Sequence, residues 1–260
     1  MSTASARIVC VLDLLARSDG PLSVTEIAKR LGTTKGAASR LLRDLARHGL
    51  LDRESVRGQY RLGLRLAQFA RVALEQAELR EAARAPLRRI SQCLEESAHL
   101  AVFRDGQIIY IDKAEAQSFV RTRTEVGDLA PPHCTASGKA ILAWLPEAEL
   151  ARWLRGQPLP PFTSRTLTGR AALRAHLRQV RRQGYAVDDE EYYRGVRCVA
   201  APILDPADRV IASLGISGVA GRLTGRAWKR AIAEVRQAAA EVTARLRAGG
   251  EGVATDGLAP

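Results

Sequence analysis

The side chains best suited to chemistry gather in one short segment. Lys35, Arg40, Arg43 and Arg47 recur about one helical turn apart. On a helix begun at Lys35 they fall largely on one side, together with Gly36 and Ser39. Ala38, Leu41, Leu42 and Leu45 fall on the other. Arginine pairs with phosphate and, as a planar fork, with the major-groove edge of guanine. Small residues at the helix start let the backbone approach a groove floor. Residues 21–61 hold nine Lys/Arg against four Asp/Glu, a net +5. The whole chain of 260 residues carries 40 Lys+Arg against 28 Asp+Glu, a net +12. Such an excess favours a polyanionic partner. Charge alone fits a solubilising surface equally well, so the pattern has to carry the reading.

A second set of chemistry-bearing residues is dispersed. His133, Cys134, Asp188 and Cys198 could meet at a metal, and Cys134 or Cys198 with His133 as base would make a thiol dyad. Neither reading has a supporting motif. The four cysteines (Cys10, Cys93, Cys134, Cys198) form no CxxC pair, and no orienting third group accompanies His133. No catalytic site, metal or cofactor is therefore expected. His133 reads as a packing or hydrogen-bonding residue and Cys198 as a small buried group. Reduced thiols fit a cytoplasmic protein. No apolar run approaches membrane-spanning length, and no signal-like h-region opens the chain.

Ordinary elements must position these groups. Residues 6–17 predict a first helix, with Ile8, Val11, Leu12 and Leu15 at helical spacing. Ser23-Val24-Thr25-Glu26 is a capping box for a second helix, Val24 to Leu31, ended by Gly32. Thr33 or Thr34 caps a third, Lys35 to His48, ended by Gly49. Two short alternating stretches around Ser55-Val56-Arg57-Gly58 then predict a hairpin. Three helices and a hairpin are the layout of a winged helix-turn-helix, with Arg53 and Arg57 on the wing.

Leu64 to Arg84 predicts a charged linker helix with an apolar stripe of Leu64, Leu66, Phe69, Ala70 and Leu74. Pro86 marks the first turn of the next helix. Beyond it the period changes. His99–Phe103 and Ile108–Lys113 flank Asp105-Gly106 as a hairpin, and Phe119–Thr124 is a further strand candidate. Helices follow near 136–145, 147–155 and 169–183. Then come strands Val196–Leu204 and Val210–Ser217 and a last helix over 224–247. The expected class is α+β, with a winged helix-turn-helix over 1–63, a linker helix over 64–85, a sensing domain over 86–248 and a disordered tail over 249–260.

With these motifs in place the chain resembles the IclR family of bacterial regulators. The resemblance rests on Leu22-Ser23-Val24-Thr25-Glu26-Ile27-Ala28, Ser39-Arg40-Leu41-Leu42-Arg43-Asp44-Leu45 and Tyr60-Arg61-Leu62-Gly63. In the second half it rests on Cys134-Thr135-Ala136-Ser137-Gly138-Lys139-Ala140, Gly184-Tyr185-Ala186-Val187-Asp188, Gly195-Val196-Arg197-Cys198 and Ile216-Ser217-Gly218. It implies a GAF-like effector-binding C-terminal domain and a homodimer or tetramer on palindromic double-stranded operator DNA. It also implies a small organic or aromatic acid as effector. The DNA-reading set is Thr34, Lys35, Gly36, Ser39, Arg40, Arg43, Arg53, Arg57 and Tyr60. The effector set implied by the resemblance is Ala136, Ser137, Gly138, Asp188, Val196, Cys198, Gly215 and Ser217.

Two departures from the family pattern matter. Gly36 and Ala37 stand where hydroxyl residues are usual, and Gly215 stands where serine is frequent. At least two of the acids in Asp188-Asp189-Glu190-Glu191 are expected to form a solvated turn, with Asp188 free to accept a hydrogen bond from an effector hydroxyl.

Overall fold

The computed structural model describes residues 4–54, 58–75, 78–115 and 124–252. Two compact units divide the chain, Met1–Gln76 and Ala77–Pro260. The first holds helices α1 (Ala4–Ala16), α2 (Val24–Arg30) and α3 (Lys35–Arg47), strands β1 (Leu51–Arg53) and β2 (Tyr60–Leu62), and helix α4 (Arg65–Glu75). Ser23 and Glu26 form the capping box in full: the Ser23 hydroxyl accepts from the Glu26 N–H, and the Glu26 carboxylate accepts from the Ser23 N–H at 2.8 Å. Thr34, not Thr33, caps α3, accepting from the Ala37 N–H at 3.3 Å. Val11, Ile27, Leu42, Leu45, Leu51 and Tyr60 make the core beneath them. Antiparallel β1 and β2 are tied to the α1–α2 connection, because Tyr60 and Leu22 exchange backbone hydrogen bonds of 2.8 and 2.9 Å.

The second unit begins with α5 (Glu78–Leu94), β3 (Ser97–Arg104), β4 (Gln107–Ala114) and β5 (Leu129–Ala130). Helices α6 (Ala136–Leu142), α7 (Glu147–Gly156) and α8 (Arg170–Gln183) follow. Strands β6 (Ala186–Asp189), β7 (Val196–Leu204) and β8 (Val210–Val219) and helix α9 (Gly225–Gly252) complete it. The strands form one antiparallel sheet in the order β5-β4-β3-β8-β7-β6. Alternation along the strands sends two sets of side chains to opposite faces. Leu100, Val199, Leu214 and Ile216 pack with Leu87 and Ile90 of α5 and Val235 and Val242 of α9. Ala101, Ile108, Ala186 and Ala200 pack with Ala136, Ala140 and Ile141 of α6. The β3–β4 turn places Asp105 and Gly106 at φ 51° and 82°, the paired positive angles of a two-residue hairpin.

Several expectations need correction. Pro86 lies well inside α5, not in its first turn. A proline there has no N–H for the carbonyl four residues back. Arg245 supplies the missing donor, its guanidinium reaching the Ala82 carbonyl at 3.3 Å. The stretch expected as a linker helix is helical as α4 and the first part of α5, and residues 76–77 between them lie outside the described residues. Leu64 and Phe69 of the apolar stripe stand 80% and 51% exposed. Strands β5 and β6 were not anticipated. The candidate strand over 119–124 lies outside the described residues except for Thr124, which is not in a strand. Helix α9 runs to Gly252, so the start of the expected tail is helical, and 253–260 lie outside the described residues. Among the described residues no helix is long and apolar enough to cross a membrane.

Candidate nucleic-acid interface and effector cavity

The outer face of α3 has the composition its spacing predicts. Thr34, Lys35, Gly36, Arg40 and Arg43 are exposed and Ser39 is half-buried, while Ala38, Leu42 and Leu45 face the core. The Arg43 Nε donates to the Ser39 carbonyl at 3.3 Å, which holds that side chain along the helix. Arg47 pairs with Asp44 at 3.4 Å. Arg53 is exposed at the root of the wing, its guanidinium 5.9 Å from the centre of the Tyr60 ring. Tyr60 is a correction. It is only 1% exposed and belongs to the core, so it supports Arg53 from beneath and does not face a groove. Arg57 lies outside the described residues.

In the second unit the expected effector residues converge, although they span some 80 positions of the chain. A cavity of about 810 Å³ lies between the sheet and α6. Helix α6 contributes Ala136 and Ser137, β6 contributes Asp188, β7 contributes Val196 and Cys198, and β8 contributes Gly215 and Ser217. Gly138 does not line it. A Cβ at that position would sit 2.3 Å from the Pro132 Cα and carbonyl oxygen, so Gly138 lets α6 lie directly on the preceding chain. Thr135 fixes the start of α6, accepting from the Gly138 N–H at 3.2 Å and donating to the Pro131 carbonyl at 2.9 Å.

Burial dominates the cavity's electrostatics. Asp188 is 3% exposed, and its carboxyl is pushed up to about 7 by desolvation; the Glu191 and Tyr192 N–H groups and Lys139 oppose that rise. Near neutral pH it can therefore accept a hydrogen bond or, protonated, donate one. Burial raises the Cys198 thiol well above its ordinary range, and Cys198 donates to the Ser217 hydroxyl at 3.1 Å. Burial likewise raises Cys134. Both thiols are poor nucleophiles in that state. Burial lowers His133, whose Nε2 lies 3.0 Å from the Pro160 carbonyl. Among the described residues no His/Cys/Asp/Glu group could hold a metal.

The acidic run is less solvated than expected. Asp188 and Glu191 are buried; Asp189 and Glu190 are half-buried and paired with Arg165 and Arg197. The Glu191 carboxylate meets the ammonium of Lys139, which is fully buried. The Thr163 and Thr166 hydroxyls donate to the Glu190 and Glu191 carbonyls at 2.7 and 2.6 Å and brace this turn. His99, Tyr110, Tyr192 and Tyr193 also line the cavity, and sequence reasoning missed them. The Tyr192-Tyr193 pair after an acidic run was a usable signal. His99 and Tyr110 had none, because only strand pairing brings them to this face.

Comparison with known proteins identifies the arrangement. Residues 5–55 match the IclR helix-turn-helix domain, and residues 71–244 match the bacterial transcriptional regulator IclR C-terminal family. Fold and matches together define a DNA-binding helix-turn-helix transcriptional regulator. The chain belongs to the IclR family. It is 36% identical over 217 residues to the HTH-type transcriptional regulator XynR of Escherichia coli, covering 84% of this chain and 86% of that one. An IclR regulator structure from Alicyclobacillus acidocaldarius superposes with a TM-score of 0.83 at 30% identity, covering 93% and 98% of the two chains. An IclR homologue from Microbacterium hydrocarbonoxydans, solved with 4-hydroxybenzoate, gives 0.82 at 25% identity, covering 95% and 100%. These relatives are regulators, and a catalytic role for Cys134 or Cys198 is set aside.

Proposed function

We propose that operator binding by this regulator is modulated by a small organic or aromatic acid held in the sheet–α6 cavity. The observation that carries the reading is the convergence of Ala136, Ser137, Asp188, Val196, Cys198, Gly215 and Ser217 on one cavity of about 810 Å³. That size suits a small ligand. The homologue bound to 4-hydroxybenzoate supports the same class of ligand. The acid's charge points away from Asp188, toward the amides of Ala136 and Ser137. Thr34, Lys35, Ser39, Arg40 and Arg43 on α3 and Arg53 on the wing contact the operator, with Gly36 allowing close approach. The protein acts in the cytoplasm as a homodimer or a dimer of dimers on a palindromic site.

The test joins two assays on the full chain. A thermal-shift panel of organic acids finds ligands that bind the folded state. A gel shift on promoter DNA with and without each hit reads the coupling. A hit that raises the melting temperature and changes operator affinity supports the proposal. If every acid leaves both unchanged, the effector reading fails and the assignment as a regulator stands.

A further inference from the structure

Among the described residues that line the cavity, His99 has buried polar atoms that go unanswered. It sits on β3 directly across from Gly215 of β8. It is 3% exposed, and both ring nitrogens are buried without a hydrogen-bond partner. Buried polar groups are nearly always paired, and each that is not carries a desolvation cost. The cross-strand neighbour cannot supply a partner. A Cβ at Gly215 would lie 2.5 Å from the Val199 carbonyl oxygen and 2.7 Å from the Ala200 Cβ. With the strands in these positions, position 215 has no room for a side chain that could bring a hydroxyl to His99. The edge of Tyr110 packs against the imidazole with ring centres 5.5 Å apart, which gives the ring apolar contact and no hydrogen bond.

We infer that His99 is the cavity's specificity residue for a neutral hydroxyl on the effector, so that the natural ligand is a hydroxy acid. The inference rests on the effector reading above. Desolvation, aided by Lys113, lowers His99 to about 4, so at neutral pH the ring offers one donor and one acceptor. A hydroxyl can answer either. A carboxylate at this depth needs a cation, and the nearby lysines are engaged: Lys113 with Glu115 and Glu125 at 2.7 and 2.6 Å, and Lys139 with Glu191. The ring's χ2 torsion is soft, which allows a nitrogen to turn toward a group set against it. The hydroxyl therefore goes inward, and the acid's charge stays away from His99.

The test uses the full-length chain and matched acids with and without a hydroxyl, such as 4-hydroxybenzoate with benzoate and glycolate with acetate. Calorimetry on wild type and His99→Phe reads the hydroxyl preference, and phenylalanine keeps the ring contact with Tyr110. A preference of tenfold or more in wild type, lost in His99→Phe with no fall in the ligand-free melting temperature, supports the inference. An equal preference in both proteins overturns it and leaves the effector reading intact. If no acid binds wild type, the effector reading fails and this inference with it. Should His99→Phe not fold, wild type labelled with ¹⁵N-histidine decides the matter. One imidazole must shift on adding the hydroxylated acid and not its deoxy partner, and a spectrum unmoved by a bound hydroxy acid overturns the assignment.

Discussion

The two units use polar side chains in opposite ways. On α3 the candidate DNA-reading groups stand in water, close in sequence, and the core beneath them is apolar. In the sheet–α6 cavity the candidate groups His99, Ser137 and Asp188 are buried and are brought together from parts of the chain far apart. The first kind of site depends on charge and is screened by salt. The second depends on desolvation, so a buried group acts through whichever partner it has or lacks. A single substitution should therefore change affinity at α3 and stability at the cavity.

The largest effect that would break this contrast lies at Lys139. Lys139→Met strands the Glu191 carboxylate in the interior, and the expected loss is about 3–5 kcal/mol in chemical denaturation. A loss below about 1 kcal/mol would mean that the cavity side is not governed by buried pairing. Asp188→Asn comes next. The folded state holds the Asp188 proton up to about 7, above its ordinary value of 3.8. Over that interval the folded chain binds more protons than the unfolded one, so stability should fall as pH rises from about 4 through about 7. Asp188→Asn should flatten that slope, by an amount on the order of a few kcal/mol across the window. Denaturation midpoints taken along the pH series check it, and an unchanged slope would exclude Asp188 as its source.

Smaller effects sharpen the other side. Arg40→Ala or Arg43→Ala should weaken specific operator binding by roughly 1–3 kcal/mol where the arginine forks onto a base. Each should leave the melting temperature nearly unchanged. Lys35→Ala should instead reduce the salt dependence of binding by about one phosphate contact. If both arginine variants bind normally in a gel shift, the working face of α3 is misassigned. The smallest effect is Thr34→Ala, which removes one N-cap hydrogen bond and should cost about 1 kcal/mol of stability.

The same contrast explains what could be read in advance. The capping box at Ser23 and Glu26, the cap at Thr34 and the two faces of α3 are local, and each is written in fewer than a dozen consecutive residues. The Asp105-Gly106 hairpin and strand β7 were legible for the same reason. Pro86 misled because its local signal marks a helix start, whereas a distant arginine makes an interior proline tolerable. The acidic run misled because Lys139, some fifty residues earlier, answers Glu191. Tyr60 resembled a groove contact by its place near the wing, and only the fold of β2 against the α1–α2 connection turns it inward. The converging effector residues came from family likeness. His99 came from neither source, because its pairing with Gly215 is a property of the assembled sheet.

The close approach at Gly215 has a consequence for how the proposed ligand cavity could change its preference. A side chain there meets the neighbouring strand's backbone, so admitting one requires that strand to shift. On the proposed reading, retuning toward a new ligand proceeds more easily through the walls, at Ala136, Ser137 or Val196, where side chains border open space. A library built to make a biosensor from this scaffold should vary those walls and hold the floor constant. Its winners should differ in ligand shape while sharing one unchanging anchor point.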